Sequence, residues 1–134
     1  MSELLWQDDS RKILLPVLIL PPAAAPHLTS HAASALIETG STTSGVTRAI
    51  ASQLRLPELG KRPLGSAHGE AQVERFLFRI GLQMGDRPLP FVFEDVIGFE
   101  LKNGFAFQVL LGMDLLSQCD FSMARGGRCR LAFG

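Results

Sequence analysis

The chain passes from apolar to small polar residues within one short stretch, Ala35-Leu36-Ile37-Glu38-Thr39-Gly40-Ser41. A run of aliphatic side chains that ends at glycine and hydroxyl residues is typical of a buried β-strand followed by a tight turn. Taken alone, the pattern favours an ordinary strand and a polar turn in which Thr39 and Ser41 make only local backbone hydrogen bonds. What distinguishes this turn is a carboxylate, Glu38, directly at the end of the strand.

A second stretch of similar character lies late in the chain and reads Val109-Leu110-Leu111-Gly112-Met113-Asp114-Leu115-Leu116. The nearly continuous apolar residues at positions 105–111 predict a strand that is buried on both faces. Gly112 is expected to end this strand. Asp114 is expected to act as the N-cap of a short helical turn that follows.

The segments around these two stretches predict short β elements. Val46, Ile50 and Leu54 recur every four residues ahead of Pro57, and this spacing predicts one short helix. Strands are predicted at residues 13–20, 33–37, 73–80, 87–96, 105–111, 120–123 and 129–133. Short strands, many turns and two brief helices indicate a mostly β protein, either a small closed barrel or a sandwich.

The composition fits one globular domain. The chain has 134 residues, of which 46% are hydrophobic, and this length is ordinary for a single domain. Thirteen basic residues balance thirteen acidic ones, so the net charge attracts neither nucleic acid nor an anionic membrane. We therefore expect no nucleic-acid partner and no membrane association. Residues 1–12 are assigned to an N-terminal arm and residues 13–134 to the single domain.

The cysteines and the first apolar run bear on the cellular compartment. Cys119 and Cys129 are too few for a disulfide scaffold, and the turn between them places Cys129 opposite residues 122–124, so we expect two reduced thiols. The apolar run at 13–20 is too short to span a bilayer and contains Pro16. Acidic residues ahead of it disfavour a secretory signal, which stays open as an alternative. The cytoplasm is the default expectation.

The two stretches together resemble the two sequence landmarks of retropepsin-like aspartic proteases. In that family, two or three apolar residues lead into Asp-Thr-Gly and then Ser or Ala, which is similar to residues 35–41. The second landmark, an apolar strand that ends in Gly-x-Asp before a short helix, is similar to residues 109–116. The order and separation of the two are also similar to those of single-copy members. The resemblance extends over residues 13–133 and implies a small closed β-barrel of the acid-protease type with one or two short helices.

This resemblance implies an aspartic endopeptidase in which the catalytic position is changed. Glu38 stands where the family has its catalytic Asp. The family chemistry uses two carboxylates about 3 Å apart that share one proton and activate a water molecule. Because one chain supplies one carboxylate, the resemblance implies a homodimer with the site on its two-fold axis, acting on a polypeptide substrate. The extra methylene of Glu displaces the carboxylate by roughly 1.3 Å, so we expect activity to be strongly reduced or absent.

The residues next to Glu38 also acquire roles from the resemblance. Gly40 is expected to let the backbone turn tightly and to leave room for the loop of the partner chain. The Thr39 hydroxyl is expected to bond across the two-fold axis, and the Ser41 hydroxyl to hold the orientation of the carboxylate.

The second landmark is expected to be structural, with Gly112 as the turn and Asp114 as a cap and orienting group. Many family members have an Arg between these two positions, where it braces the dimer through ion pairs. Met113 cannot form such ion pairs, so this part of the brace is expected to be missing.

A glycine-rich segment in the middle of the chain is predicted to be the substrate-covering hairpin of the family, called the flap. It contains Gly65, Ser66, Ala67, His68 and Gly69, and glycines suit a mobile tip because they adopt positive φ angles. The alternative is an ordinary surface hairpin. His68 is expected to be a turn residue without a catalytic role, because the family chemistry needs no imidazole.

No metal or cofactor is expected. His27 and His31 flank a loop rich in proline and serine, and the sequence arranges no third ligand with them. The chemistry implied by the resemblance also needs neither a metal nor a covalent intermediate.

Two rival interpretations remain. One is a non-catalytic relative, a dimeric peptide-binding or scaffold module that keeps the cleft without the chemistry, and Glu38 is the feature that separates it from an active enzyme. The other is an unrelated small β-barrel that binds a ligand and matches the two landmarks by accident. Failure to dimerise at micromolar concentration would favour the unrelated barrel.

Overall fold

A computed structural model of the chain describes residues 2–8, 11–23, 29–66 and 69–134, and strands dominate these segments. The strands are β1 (Ser2–Gln7), β2 (Leu14–Leu20), β3 (His31–Ile37), β4 (Gly45–Thr47), β5 (Arg62–Ser66), β6 (Gly69–Val73), β7 (Arg75–Leu82), β8 (Phe91–Leu101), β9 (Val109–Leu111), β10 (Asp120–Met123) and β11 (Arg128–Phe133). The helices are α1 (Arg48–Gln53) and α2 (Met113–Leu116). Neither helix has the length and apolar character needed to cross a membrane.

Six strands close into a barrel in the order β2-β3-β9-β4-β8-β7, with β7 returning to β2. Most neighbours are antiparallel, but β3 pairs with β9 and β4 pairs with β8 in parallel. In β7 every second side chain points inward, so that Phe76, Phe78 and Ile80 are almost completely buried. Burial of each such side chain stabilises the fold by about 1.5–3 kcal/mol. The prediction of a mostly β closed barrel with two short helices is therefore confirmed.

Two of the predicted elements differ in kind from the structure, and the strand predicted at residues 87–96 is displaced to Phe91–Leu101. The helix expected from Val46 to Leu54 begins only at Arg48, because residues 45–47 form β4 and pair with both β8 and β9. The prediction of a long strand at residues 105–111 is wrong, because only its last three residues, Val109–Leu111, form a strand. Its first part is a loop in which Phe105 is 52% exposed, and Phe105 stacks on Phe107 with ring centroids 5.2 Å apart. Tertiary pairing overrides the local apolar pattern in both cases.

The chain ends meet in a second sheet of three strands in the order β1-β11-β10. Phe133 and Leu131 of β11 are almost completely buried against the barrel, and the Phe133 ring lies 4.8 Å from that of Phe91. Residues 2–7, predicted to belong to an N-terminal arm, are thus a paired strand and not a loose segment. The division of the chain at residue 12 stays a prediction.

Both cysteines are free thiols; Cys129 lies in β11 of the closing hairpin, and Cys119 directly precedes β10. Cys129 lies opposite Met123, as its predicted position required, and is 2% exposed. Burial raises the pKa of the Cys129 thiol and also that of Cys119, because a thiolate loses hydration in an apolar surrounding. The ordinary state of both side chains is therefore the protonated thiol.

Candidate active site

The two landmark stretches lie side by side at one end of the barrel. β3 and β9 run in parallel, with Ile37 paired to Leu111 in the register. The pairing continues one residue further, because the Glu38 N–H donates to the Leu111 carbonyl oxygen at 3.0 Å. Both strands therefore end at the same edge, and the two loops that follow them, residues 38–44 and 112–114, come into contact.

The carboxylate of Glu38 folds back over its own loop. Its Oε1 accepts a hydrogen bond from the Gly40 N–H at 2.9 Å, and the Glu38 carbonyl oxygen accepts one from the Ser41 N–H at 3.3 Å. A Cβ atom at position 40 would lie only 2.9 Å from the same Oε1. Gly40 thus supplies both a donor and the space that this conformation of the carboxylate needs.

The Ser41 hydroxyl has a partner other than the one expected for it. It donates to the Thr43 carbonyl oxygen at 2.7 Å instead of to Glu38, so within this chain it stabilises the loop and not the carboxylate. The Ser41 carbonyl oxygen accepts a hydrogen bond from the Met113 N–H at 2.7 Å. This bond joins the loop of the first landmark directly to the start of α2. The Thr39 side chain is exposed, and its predicted role across a two-fold axis stays a prediction.

Ser44, which the sequence patterns did not single out, is the residue that ties the two loops together. It is fully buried, and its hydroxyl donates to Asp114 Oδ1 at 2.8 Å while accepting from the Gly112 N–H at 3.1 Å. The Ser44 N–H donates to the other carboxylate oxygen of Asp114 at 3.2 Å. Ser44 is one of several hydroxyl residues between Gly40 and Gly45, and nothing local distinguishes it from the others or indicates its partner.

The N-cap role predicted for Asp114 is wrong. Gly112 occupies the N-cap position of α2, and Asp114 lies in the first turn of the helix. Its carboxylate faces Ser44 because the parallel pairing of β3 and β9 brings residue 44 beneath the helix. The orienting role predicted for Asp114 stays a prediction, and its hydrogen bonds with Ser44 are the contacts through which it would act.

Gly112 lies where the two loops approach each other most closely. A Cβ atom there would come within 2.5 Å of the Thr43 carbonyl oxygen and within 2.9 Å of the Ser41 carbonyl oxygen. Both neighbours are backbone atoms and cannot rotate away. Only glycine fits this contact, which explains the residue type without any catalytic role.

The glycine-rich segment predicted as the flap belongs to a separate hairpin of β5 and β6, in which Ser66 pairs with Gly69. Gly69 has a φ angle of 104°, as hairpin turns often require. Ala67 and His68, at the tip, lie outside the described residues. The hairpin projects from the barrel as a two-stranded sheet of its own, so the structure agrees with a hairpin here and leaves its covering role a prediction.

A cavity of about 580 Å³ separates this hairpin from the barrel. Its lining combines residues of the hairpin, of β8 and of the two landmark loops, namely Thr42, Thr43, Arg62, Pro63, Leu64, Gly65, Val73, Arg75, Asp95, Ile97, Phe99 and Asp114. Glu38 does not line the cavity, which borders the loop that carries this residue through Thr42 and Thr43.

A bulge in β8 gives this cavity an apolar wall. Two residues, Glu94 and Asp95, oppose the single Arg79 of β7, and Asp95 has a φ angle of 53°. Beyond the bulge, Ile97 and Phe99 share the outer face of the strand and line the cavity. Ile97 is 45% exposed, so a ligand that covers it would remove apolar surface from water.

Within the described segments, no group of three or more His, Cys, Asp and Glu side chains is arranged to hold a metal ion. His31 lies in β3 opposite Ile19, and its Nδ1 is 2.8 Å from the Ala32 carbonyl oxygen. His27 and His68 lie outside those segments.

Several solved structures share this fold, including the following two. A retropepsin-like aspartic protease from Rickettsia conorii superimposes with a TM-score of 0.62 at 14% identity, over 98% of this chain and 91% of that chain. The EIAV protease complexed with the inhibitor HBY-793 superimposes with a TM-score of 0.52 at 17% identity, over 82% of this chain and 89% of that chain. No protein-family model matches the sequence, and no curated protein is significantly similar to it. The chain therefore has the retropepsin-like fold, and at these identities the comparison extends to the fold alone.

Proposed function

We propose that this chain is a homodimeric aspartic endopeptidase of the retropepsin type, with Glu38 in the position of the catalytic Asp. The observation that carries the proposal is the junction of the two landmark loops. There the Glu38 carboxylate, at the end of a buried strand, accepts a hydrogen bond from the Gly40 N–H. Contacts with Gly112, Met113 and Asp114 hold the loop of residues 38–44. A fold alone does not imply an activity, so the proposed activity depends on this carboxylate and on the contacts that hold its loop.

In the proposed reaction, each chain of a dimer contributes one Glu38 carboxylate at the two-fold axis. Two carboxylates at close range share one proton, because like charges so near each other cannot both ionise. The ionised member takes a proton from a water molecule, whose oxygen attacks the peptide carbonyl carbon. The protonated member donates to the carbonyl oxygen. Cleavage of the C–N bond then releases an amine, which takes up a proton, and a new carboxylic acid.

The cleft implied by this mechanism lies between the β5–β6 hairpin and the barrel. An extended polypeptide would lie along the hairpin with alternate side chains in apolar pockets, as in other cases of β-strand recognition. Residues 65–69 would close over it, and the cavity beside Ile97 and Phe99 would receive one of its side chains. The Thr39 hydroxyls of the two chains would bond across the axis and hold the carboxylates in place.

Glu in place of Asp is expected to reduce the rate. The folded-back conformation retains a hydrogen bond to Gly40 N–H, but the longer side chain has more rotamers to lose when it is fixed for reaction. A misplacement of about 1 Å at a reacting group costs on the order of a hundredfold in rate. Since the displacement occurs once in each chain, weak or absent activity is the expected result for the unaltered protein.

The test compares the unaltered protein with Glu38→Asp and Glu38→Gln on a mixed peptide library between about pH 4 and 7. We expect Glu38→Asp to raise kcat/KM by at least about tenfold. The Gln variant preserves size but cannot ionise, so it should be inert. A folded Glu38→Asp protein that cleaves no member of the library, at a concentration where dimers form, would contradict the catalytic proposal.

A second candidate is a dimeric peptide-binding module without catalysis. The observation in its favour is that Glu38 does not line the cavity beside the β5–β6 hairpin, so a peptide bound there would not depend on the carboxylate. Met113 stands where many retropepsin-like proteases have an Arg that braces the dimer, and this difference also favours the second candidate. This candidate predicts that the unaltered protein and Glu38→Asp bind the same library peptides with equal affinity and leave them intact.

A further inference from the structure

We propose that the outer face of the three-stranded sheet β1-β11-β10 is a docking site for an extended acidic peptide, whose acidic side chains at alternate positions bind Arg128 and Arg130. None of the residues on this face belongs to the loops that follow β3 and β9. The surface would therefore bind its peptide whether or not Glu38 is catalytic.

The pairing register determines which side chains share the outer face. Residues directly opposed in neighbouring strands point to the same side of a sheet, whereas successive residues of one strand point to opposite sides. Arg130 lies opposite both Leu5 of β1 and Ser122 of β10, and Arg128 lies opposite Gln7. These five side chains therefore project from one face.

The other face of the sheet is packed and fixes the orientation of the outer one. Cys129 and Leu131, which alternate with the two arginines along β11, are 2% and 1% exposed. The Trp6 ring of β1 lies 6.4 Å from that of Phe121 on the same inner side. A sheet with one packed and one solvated face cannot turn its outer side chains inward.

A cavity of about 440 Å³ lies on the outer face, and all five outer side chains named above contribute to its lining. Leu5 is 67% exposed there and offers apolar surface that a ligand would cover. Among the described residues, the lining contains Arg128 and Arg130 but no Asp or Glu. The cavity is therefore electrically positive, although the whole chain has no net charge.

Only part of this positive charge is compensated within the chain. Arg130 Nε donates to Glu3 Oε2 at 2.6 Å. In the segments that the structure describes, the Arg128 side chain forms no hydrogen bond and no ion pair. Asp8, just beyond the end of β1, accepts a hydrogen bond from the Leu14 N–H at 2.9 Å. An anionic ligand would supply the partner that Arg128 lacks.

The spacing of the two arginines matches that of an extended peptide. A guanidinium group donates two parallel N–H groups to a carboxylate. Arg128 and Arg130 are two positions apart in β11, so their Cα atoms are about 7 Å apart, which is also the distance between alternate side chains of an extended peptide. A peptide lying along β11 would thus place one carboxylate on each arginine. Its methylene groups would cover Leu5.

The next position along this face selects against a third acidic residue. Ala132 lies opposite Glu3 on one side and Asp120 on the other. Two carboxylates at this place repel an acidic side chain and attract a basic one. The complementary peptide therefore has the pattern acidic-x-acidic-x-basic, in which the alternate residues face the sheet.

This mixed charge pattern favours a peptide over an anionic membrane or a free phosphate ion. A membrane surface presents negative charge along the whole face, so Glu3 and Asp120 would be repelled by it. A phosphate ion would engage the arginines and gain nothing from the carboxylates at Ala132. Only a ligand that carries both charges in the stated order uses the whole surface.

Fluorescence polarisation with a labelled peptide, Gly-Glu-Ala-Glu-Ala-Lys-Gly, tests the site. The control peptide, Gly-Glu-Ala-Lys-Ala-Glu-Gly, has the same composition in another order. We expect the control to bind at least about fivefold more weakly, since one favourable ion pair is replaced by repulsion. Affinity for the first peptide should fall as salt is added, because exposed charges are screened.

Charge reversal in the protein identifies the contact. Arg128→Glu should weaken binding of the first peptide by at least about tenfold. Arg87→Glu is the matched control, because it makes the same charge change at an exposed position of the β7–β8 loop. It should bind as the unaltered protein does. Arg128→Gln replaces the Glu variant if circular dichroism shows that the latter is unfolded, and it should weaken binding in the same direction.

A compensating peptide makes the test specific for Arg128. In the proposed register the acidic residue farther from the lysine contacts Arg128. Gly-Lys-Ala-Glu-Ala-Lys-Gly should therefore bind Arg128→Glu more tightly than the first peptide does, and should bind the unaltered protein more weakly.

Four results would overturn the proposed docking site. The first is equal affinity for the two peptides of identical composition, and the second is an equal loss in Arg128→Glu and Arg87→Glu, since both indicate attraction to charge alone. The third is loss of binding in Ile97→Asp with full binding in Arg128→Glu, which would assign the peptide to the cavity beside the β5–β6 hairpin. The fourth is binding to vesicles of phosphatidylserine, abolished by Arg128→Glu, with no binding of the peptide.

Discussion

The hydroxyl of Ser44 donates to Asp114 Oδ1 at 2.8 Å across 70 residues of sequence. Ser44 is completely inaccessible to solvent, and the Asp114 carboxylate also accepts a hydrogen bond from the backbone N–H of Ser44. This pair fixes the position of α2 relative to the loop that carries Glu38. The geometry of the candidate site therefore depends on a contact between two residues of which neither carries out the proposed chemistry.

Disruption of the pair is expected to be costly and non-additive. Ser44→Ala leaves the half-buried Asp114 carboxylate and the Gly112 N–H without their hydroxyl partner, so the free energy of unfolding should fall by about 1–3 kcal/mol. Asp114→Asn should cost about 1–3 kcal/mol, and the double variant clearly less than the sum. Urea denaturation measures all three, with Ser117→Ala at an exposed position as the control. Strictly additive losses would show that the two residues act independently.

Gly112→Ala should destabilise the protein by about 3 kcal/mol, because its new methyl group would meet the backbone of Ser41 and Thr43. Gly85→Ala is the matched control, since a Cβ at that position meets nothing within 4 Å. The control should keep its stability or gain up to about 1 kcal/mol through a less flexible unfolded chain. Thermal unfolding compares the two variants. Equal melting temperatures would mean that the loops separate without cost.

Ile97 is predicted to contribute to the choice of the bound peptide. Ile97→Asp places a charge on the apolar wall of the cavity, so affinity for peptides with a bulky apolar side chain should fall on the order of tenfold. Because Ile97 is already 45% exposed, the fold should tolerate the change. Fluorescence polarisation with labelled library peptides measures binding whether or not cleavage occurs. Leu89→Asp, 75% exposed and away from the cavity, is the control and should bind as the unaltered protein does.

The thiols should react slowly in the native protein. Burial raises the pKa of Cys129 and of Cys119, so at pH near 8 the reactive thiolate is scarcer than in an unfolded chain. Iodoacetamide should leave Cys129 unmodified over hours and label Cys119 first, with both labelled at once in urea, as mass spectrometry would show. Rapid native labelling of Cys129 would contradict its burial.

The same shifts have a consequence for stability at alkaline pH. The folded state holds these thiols protonated, whereas the unfolded chain can ionise them. The free energy of unfolding therefore falls as the pH rises above the ordinary thiol pKa. Stability should therefore decline in alkali and be unaffected by these groups in acid. Cys129→Ala should remove part of that decline in urea titrations carried out at several pH values. An unchanged slope in this variant would assign the decline to other groups.

Much of the fold was predictable because its strands carry local signals. The apolar runs before Gly40 and Gly112 predicted β3 and the end of β9, and the alternation in β7 is visible in its phenylalanines. The closing hairpin and the position of Cys129 opposite Met123 also followed from the sequence. These features depend on residues close together in the chain.

Other features carried no local signal. β4 contains three residues and exists only because it is held between β8 and β9, and the apolar residues before β9 form a loop instead of a strand. Asp114 accepts a hydrogen bond from the Ser44 hydroxyl, although the sequence suggested an N-cap role for it. This outcome depends on a side chain 70 residues away. The Ser41 hydroxyl donates to the nearby Thr43 carbonyl oxygen, whereas the resemblance implied a contact with the carboxylate.

Local sequence accounts for the strands, the turns and the presence of one carboxylate at a strand end, because periodicity and glycine act over a few residues. The tertiary structure alone sets the parallel pairing of β3 with β9, the burial of Ser44 beneath α2 and the three-stranded sheet that leaves β10 at its edge. Such contacts join residues tens of positions apart. They form only when the closed barrel satisfies the hydrogen bonds of all its strands at once.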